Sequence, residues 1–142
     1  MIQEHGPGGV ILALHWATHA TLHALGGRLA GLDLPAADIN ALANLATGGP
    51  RSVGSLATAT ATRPTTLTSV LDRLARRGFV TRELDPADRR SFLVSLTPAG
   101  QAAARTVAAA VHDLERQALA TVTGAELAGF HAVISALTEV SP

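Results

Sequence analysis

No cysteine occurs among the 142 residues, which excludes a disulfide framework, a thiol nucleophile, a thiolate zinc site and a cysteine-based redox sensor. Lysine and tyrosine are absent too, and aromatic residues make up only 3% of a chain that is 47% hydrophobic. The apolar content is therefore small in volume, as Ala102–Ala104 and Ala108–Ala110 illustrate, and small side chains suit closely packed helices. The uncharged apolar run near the start, Val10 to Leu14, stops at His15 and follows no cationic residue, so neither a signal peptide nor a membrane span is expected. The expectation is a cytoplasmic chain with no membrane partner. There is no Gly-x-Ser-x-Gly elbow, P-loop, dinucleotide fingerprint or His-Glu-x-x-His helix, so no enzyme and no cofactor are expected.

What is present is an uneven distribution of charge. Eleven cations balance eleven acids, yet from Arg51 to Arg90 eight arginines face only Asp72, Glu83, Asp85 and Asp88, a surplus of four positive charges. The rest of the chain carries the matching surplus of acids. A basic middle between acidic ends is a local footprint for a polyanion even when the whole chain is neutral. The exclusive use of arginine supplies planar forks that fit phosphate and guanine edges, or reflects GC-rich codon usage.

Apolar residues Ile11, Leu14, Leu22, Leu25 and Leu29, with Thr18, recur at helical spacing from about Val10 to Ala30. A second helix after Pro35 carries Ile39, Leu42 and Leu45 inward and stops at Gly48-Gly49-Pro50. Ser52 is placed to cap a short helix with Leu56 and Ala57 inward, and after a turn around Thr60–Thr62 the helix from Arg63 to Arg77 has Pro64 in its first turn. That helix divides by face: Leu67, Val70, Leu71 and Leu74 form an apolar stripe, while Thr62, Thr65, Thr66, Ser69 and Arg73 share another side. Gly78 suits a left-handed C-terminal position, and Phe79–Leu84 and Ser91–Leu96 alternate as strands around a charged tip. Thr97-Pro98 opens a long helix striped by Val107, Val111, Leu114 and Ala118. Thr123-Gly124-Ala125-Glu126 reads as a capping box before a last helix presenting Leu127, Phe130, Ile134 and Leu137.

The fold class expected is thus mainly α with a small β-hairpin wing, a winged helix-turn-helix with helical extensions. The residues Leu67-Thr68-Ser69-Val70-Leu71-Asp72-Arg73-Leu74, Arg77-Gly78-Phe79-Val80-Thr81-Arg82, Asp88-Arg89-Arg90 and Val94-Ser95-Leu96-Thr97-Pro98-Ala99-Gly100 carry a resemblance over nearly the whole chain. The sequence resembles the MarR family of bacterial transcription regulators. The resemblance implies one domain over 1–142, with a winged DNA-binding lobe at 35–97 and a helical dimerisation region at 10–31 and 98–140. It implies a homodimer, its first and last helices intertwined, presenting two winged lobes to pseudo-palindromic duplex DNA. Half-sites one helical turn apart, about 34 Å, let both recognition helices enter one side of the major groove. The expected function is a sequence-specific regulator, by preference a repressor, since a small dimer on a promoter most simply blocks polymerase. The alternative is a helical protein-interaction module on a winged scaffold without DNA binding.

Arg63, Thr65, Thr66 and Ser69 are candidates for base edges and nearby phosphates, because the first turns of such a helix point into the groove. Arg51 and Ser52 are candidate phosphate clamps. Arg89 and Arg90 are the tip cations placed to enter the minor groove, with Asp88 structural. Arg73 either contacts phosphate or, as similar positions in the family suggest, pairs with Asp88 to brace the wing. His15, His19 and His23 recur every four residues beside Trp16. Eight residues of helix rise about 12 Å, too far for one ion held at about 2.1 Å, so no metal site is expected. With His112, these residues either line a small-molecule effector pocket or serve packing and the dimer interface.

Overall fold

The computed structural model describes residues 9–140. In chain order it holds α1 (Val10–Arg28), a 3-10 turn at Ala30–Leu32, α2 (Ala36–Gly48), β1 (Arg51–Ser52), α3 (Val53–Thr60), α4 (Pro64–Arg76), β2 (Val80–Leu84), β3 (Phe92–Leu96), α5 (Pro98–Ala118) and α6 (Gly124–Thr138). Two compact units divide after Val111.

In the first unit, helices α2, α3 and α4 enclose one core with the sheet. Leu42 and Leu45, Leu56, Leu67, Val70, Leu71 and Leu74 meet Val80 and Val94, all buried, with Ala103 of α5 beside them. Each leucine so buried contributes about 1.5–3 kcal/mol, which outweighs the weak helix preference of the threonine-rich α4. A second cluster joins Leu29, Ile39 and Val107. The sheet is antiparallel in the order β1-β3-β2, with Val80 opposite Leu96 and Leu84 opposite Phe92. The sequence predicts only the hairpin; the third strand, Arg51–Ser52 against Val94 and Leu93, is too short for any alternation to register.

The first helix buries less than its periodicity predicts. Leu29 just past its end is buried and Leu25 half-buried, but Ile11 and Leu22 are exposed, together with Val10, Leu12 and Trp16. In the second unit α6 likewise leaves Leu127, Phe130 and Val133 exposed. Its start is as expected: the Thr123 side chain accepts from Glu126 N–H, and the Glu126 carboxylate accepts from Thr123 N–H. Among the described residues no helix is long and apolar enough to cross a membrane.

The step from the wing into α5 explains its sequence. Thr97 accepts the Gly100 N–H at 3.0 Å and donates its own hydroxyl to the Gly78 carbonyl, while its N–H bonds Phe79 O. Gly78 sits at φ +74°, in the left-handed conformation anticipated for it. Gly100 is buried, and the Phe79 carbonyl occupies the space that a β-carbon there would need. Gly100→Ala should therefore destabilise by about 1–3 kcal/mol through overpacking against backbone. Gly54→Ala in α3, with nothing within 4 Å of the added carbon, should be neutral or stabilising by about 0.5–1 kcal/mol. Urea denaturation of both variants checks the contrast, and equal effects would contradict it.

Candidate nucleic-acid interface

The helix-turn-helix is built from local bonds. The Ser52 hydroxyl caps α3 by accepting from Ser55 N–H at 3.1 Å. Ala61 takes a left-handed φ of 51°, letting Thr62 N–H reach Ala57 O. The buried Thr60 returns its hydroxyl to Leu56 O, and Asn40 of α2 donates to Thr60 O, tying the turn to the core. Arg63 then precedes Pro64, whose fixed φ suits the first helical position.

On α4 the predicted partition of faces is present. Leu67, Val70, Leu71 and Leu74 are buried, and Thr65, Thr66 and Ser69 are exposed. Thr68 folds its hydroxyl back to Pro64 O, whereas no hydrogen bond within the described residues engages the side chains of Thr65, Thr66 or Ser69. The first turn of α4 has no acid and no side-chain cap, so its N–H groups remain open to an anion.

The arginines of the basic segment separate into two groups. Arg73 donates from Nε and Nη2 to both carboxylate oxygens of Asp38 in α2, at 3.1 and 2.7 Å, and Asp38 is 0% exposed. This hydrogen bonding pushes the Arg73 pKa above its ordinary value, against the opposing effect of desolvation. Arg77 donates to the carbonyls of Leu32 and Asp33 and lies 5.1 Å over the Phe79 ring. Arg82 pairs with Asp72 at 2.9 Å, and Arg76 donates to the Asp72 carbonyl. Arg51 is half-buried against Gly48, and its buried Nε has no hydrogen-bond partner among the described residues. Arg63, Arg89 and Arg90 are the exposed remainder, with no ion pair among the described residues.

The wing tip corrects one expectation. Asp88 does not pair with Arg73, because Arg73 lies at the buried carboxylate of Asp38. Asp88 instead accepts the Arg90 N–H at 3.0 Å, as Asp85 accepts the Ala87 N–H at 2.9 Å. Two successive turns of this kind satisfy the backbone of the tip, and Arg89 and Arg90 are exposed on it. The pairs Arg73–Asp38 and Arg82–Asp72 were not anticipated from sequence. The identical arginines carry no local mark of which acid each will meet.

His15, Trp16, His19 and His23 are all exposed on α1, with the Trp16 and His19 rings 6.4 Å apart, and His112 is exposed in the second unit. Among the described residues no three His, Asp or Glu side chains are grouped to hold a metal. A cavity of about 350 Å³ in the first unit is lined by none of those residues, but by Leu45, Pro50, Ser95, Leu96, Gln101 and Arg105 among others.

A family model described as the MarR family matches residues 32–91. An uncharacterised helix-turn-helix-type transcriptional regulator of Mycobacterium bovis is 34% identical over 88 residues, 62% of this chain and 62% of its own length. The chain spans 43 to 62% of the length of the curated relatives it matches. A probable transcriptional regulator from Pseudomonas aeruginosa superposes with a TM-score of 0.76 at 31% identity, over 90% of this chain and 96% of that one. A cysteine-substituted MarR from E. coli, solved in complex with operator DNA, gives a TM-score of 0.76 at 26% identity, over 88% and 90%.

Removing Arg73 strands a buried carboxylate, whereas removing Asp38 leaves a cation that is 40% exposed and can be hydrated. Arg73→Ala should thus lower the thermal midpoint more than Asp38→Ala does, and Asp38→Asn added to Arg73→Ala should recover part of the loss. Calorimetry of the three variants checks the order, and the reverse order would sink it.

Proposed function

The chain belongs to the MarR family, and from that premise we propose that it is a homodimeric, sequence-specific DNA-binding regulator that represses by occupying a pseudo-palindromic operator. The observation that carries the reading is the set of groups left without intramolecular partners. Arg63, Thr65, Thr66 and Ser69 on the first turns of α4 and Arg89 and Arg90 at the wing tip are exposed without side-chain partners among the described residues, while Arg73, Arg77 and Arg82 are each engaged by a carboxylate or a carbonyl. In this reading the short hydroxyls meet base edges and the open N-terminal amides meet phosphate. The tip arginines enter the flanking minor groove, where A·T-rich sequence deepens the negative potential.

The exposed apolar residues of α1 and of α6 support the dimer. Each surface would be covered by a second copy, and a two-fold pair of lobes doubles the few base contacts that one helix offers.

The repressor is released by a small molecule that prefers a dimer with its recognition helices wrongly spaced, a coupling of typically ~1–3 kcal/mol. The 350 Å³ cavity suits such a molecule better than the histidine row does. It joins apolar Leu45 and Leu96 to Ser95, Gln101 and Arg105, whose side chains bond nothing else among the described residues.

Binding of a fluorescent duplex from the chain's own upstream region, against scrambled DNA across a salt series, tests the reading, with mass measured in parallel. The dimer should bind the upstream duplex more tightly, with steep salt dependence. Arg89→Ala and Arg90→Ala should each weaken binding and reduce the slope by about one per lost phosphate contact. Unchanged affinity and slope in both variants would refute the wing's role, and equal weak binding to both duplexes would favour the interaction module.

A further inference from the structure

The wing leaves the body of its lobe in steps along one face of β2, since alternate residues of a strand share a face. Val80 is 3% exposed against the core, Arg82 is tied to α4, and Leu84 is 57% exposed. Opposite Leu84, Phe92 of β3 is exposed as well, so on this pair of strands the outer end of the hairpin presents apolar side chains to solvent. Among the described residues, Arg82–Asp72 is the ion pair that joins α4 to the wing strands. Its partners are 36% and 48% exposed, and such a pair contributes only about 0–1 kcal/mol to stability. Meanwhile Asp72 places a negative charge beside the exposed side of α4, where it opposes any approach of a polyanion.

We infer that Asp72 is a positioning residue for DNA binding: through Arg82 it sets the angle of the wing to the recognition helix, so that both engage one duplex together. This rests on the DNA-binding reading above. From Arg82 the strand and tip extend about 10 Å, so a pivot of about 10° would displace the tip arginines by about 2 Å. Constellations of contacting groups tolerate only about 0.5 Å. The two lobes of contact then act as linked sites, whose joint affinity depends on geometry that permits simultaneous engagement.

The inference separates by sign from simple electrostatics. Asp72→Asn removes a negative charge near DNA, which alone would tighten binding, whereas loss of positioning weakens it. Anisotropy titrations with the upstream duplex should show Asp72→Asn binding roughly five- to tenfold more weakly than the wild type, with Asp72→Glu recovering most of the loss. The thermal midpoint should stay within about 2 °C, as for an exposed pair. In an Arg89→Ala/Arg90→Ala background the Asp72→Asn effect should shrink toward none, because its route through the wing has been removed. Tighter or unchanged binding by Asp72→Asn, or a full effect without the tip arginines, would overturn the inference while leaving DNA binding intact. A wild type that binds no duplex in a salt-dependent way would overturn both.

Discussion

The carboxylate of Asp38 sits at the start of α2 with no exposure to solvent, and a charge so placed must be matched by another. The match comes from Arg73 of α4, whose planar fork meets both oxygens. The pair fixes the rotation of α4 about its own axis as well as its distance from α2. Once that rotation is set, Leu67, Val70, Leu71 and Leu74 have only the core to face, and Thr65, Thr66 and Ser69 only the surface. Asp72 and Arg73 are neighbours about 100° apart on the helix. They reach to opposite flanks, Arg73 to α2 and Asp72 to the wing.

Charge in this chain therefore acts in two ways. The surplus between Arg51 and Arg90 looks like one basic patch in the sequence, but Arg73, Arg77 and Arg82 are tied to carboxylates or carbonyls of the fold. The exposed cations of this segment without a side-chain partner among the described residues are Arg63 before α4 and the Arg89-Arg90 pair at the wing tip. Asp85 and Asp88 lie among those tip arginines, and each directs a carboxylate oxygen to a backbone N–H of the tip rather than to an arginine side chain. In the proposed function this geometry grips a duplex at separated points.

Much of this was legible in the amino-acid order because it depends on neighbours in sequence. The caps at Ser52 and Thr123, the left-handed Gly78, Pro64 and Pro98 at helix starts, and the apolar stripe of α4 are local rules, and each appears as read. The Leu96-Thr97-Pro98-Ala99-Gly100 step was recognised as a motif, but its cause, a glycine pressed on the Phe79 carbonyl, is a contact across the chain. The ties of Arg73 and Arg77 span 35 and 45 residues, a separation at which no spacing rule applies. The periodicity of α1 marked a helix correctly but not what covers it, because Ile11 and Leu22 find no cover within the first unit. The histidine row carried the least information: helical spacing placed His15, His19 and His23 near one another, and among the described residues they do not join a group of three metal-ligating side chains.

The division of the arginines into fold ties and free contacts is tested most directly by arginine-specific modification with a dicarbonyl reagent, read by peptide mass spectrometry with and without the upstream duplex. Arg63, Arg89 and Arg90 should react quickly in the free protein and be protected by DNA, while Arg73 and Arg77 should react slowly in both states. Fast reaction of Arg73 and Arg77 in the free protein, or DNA protection that leaves the wing tip reactive, would contradict the account.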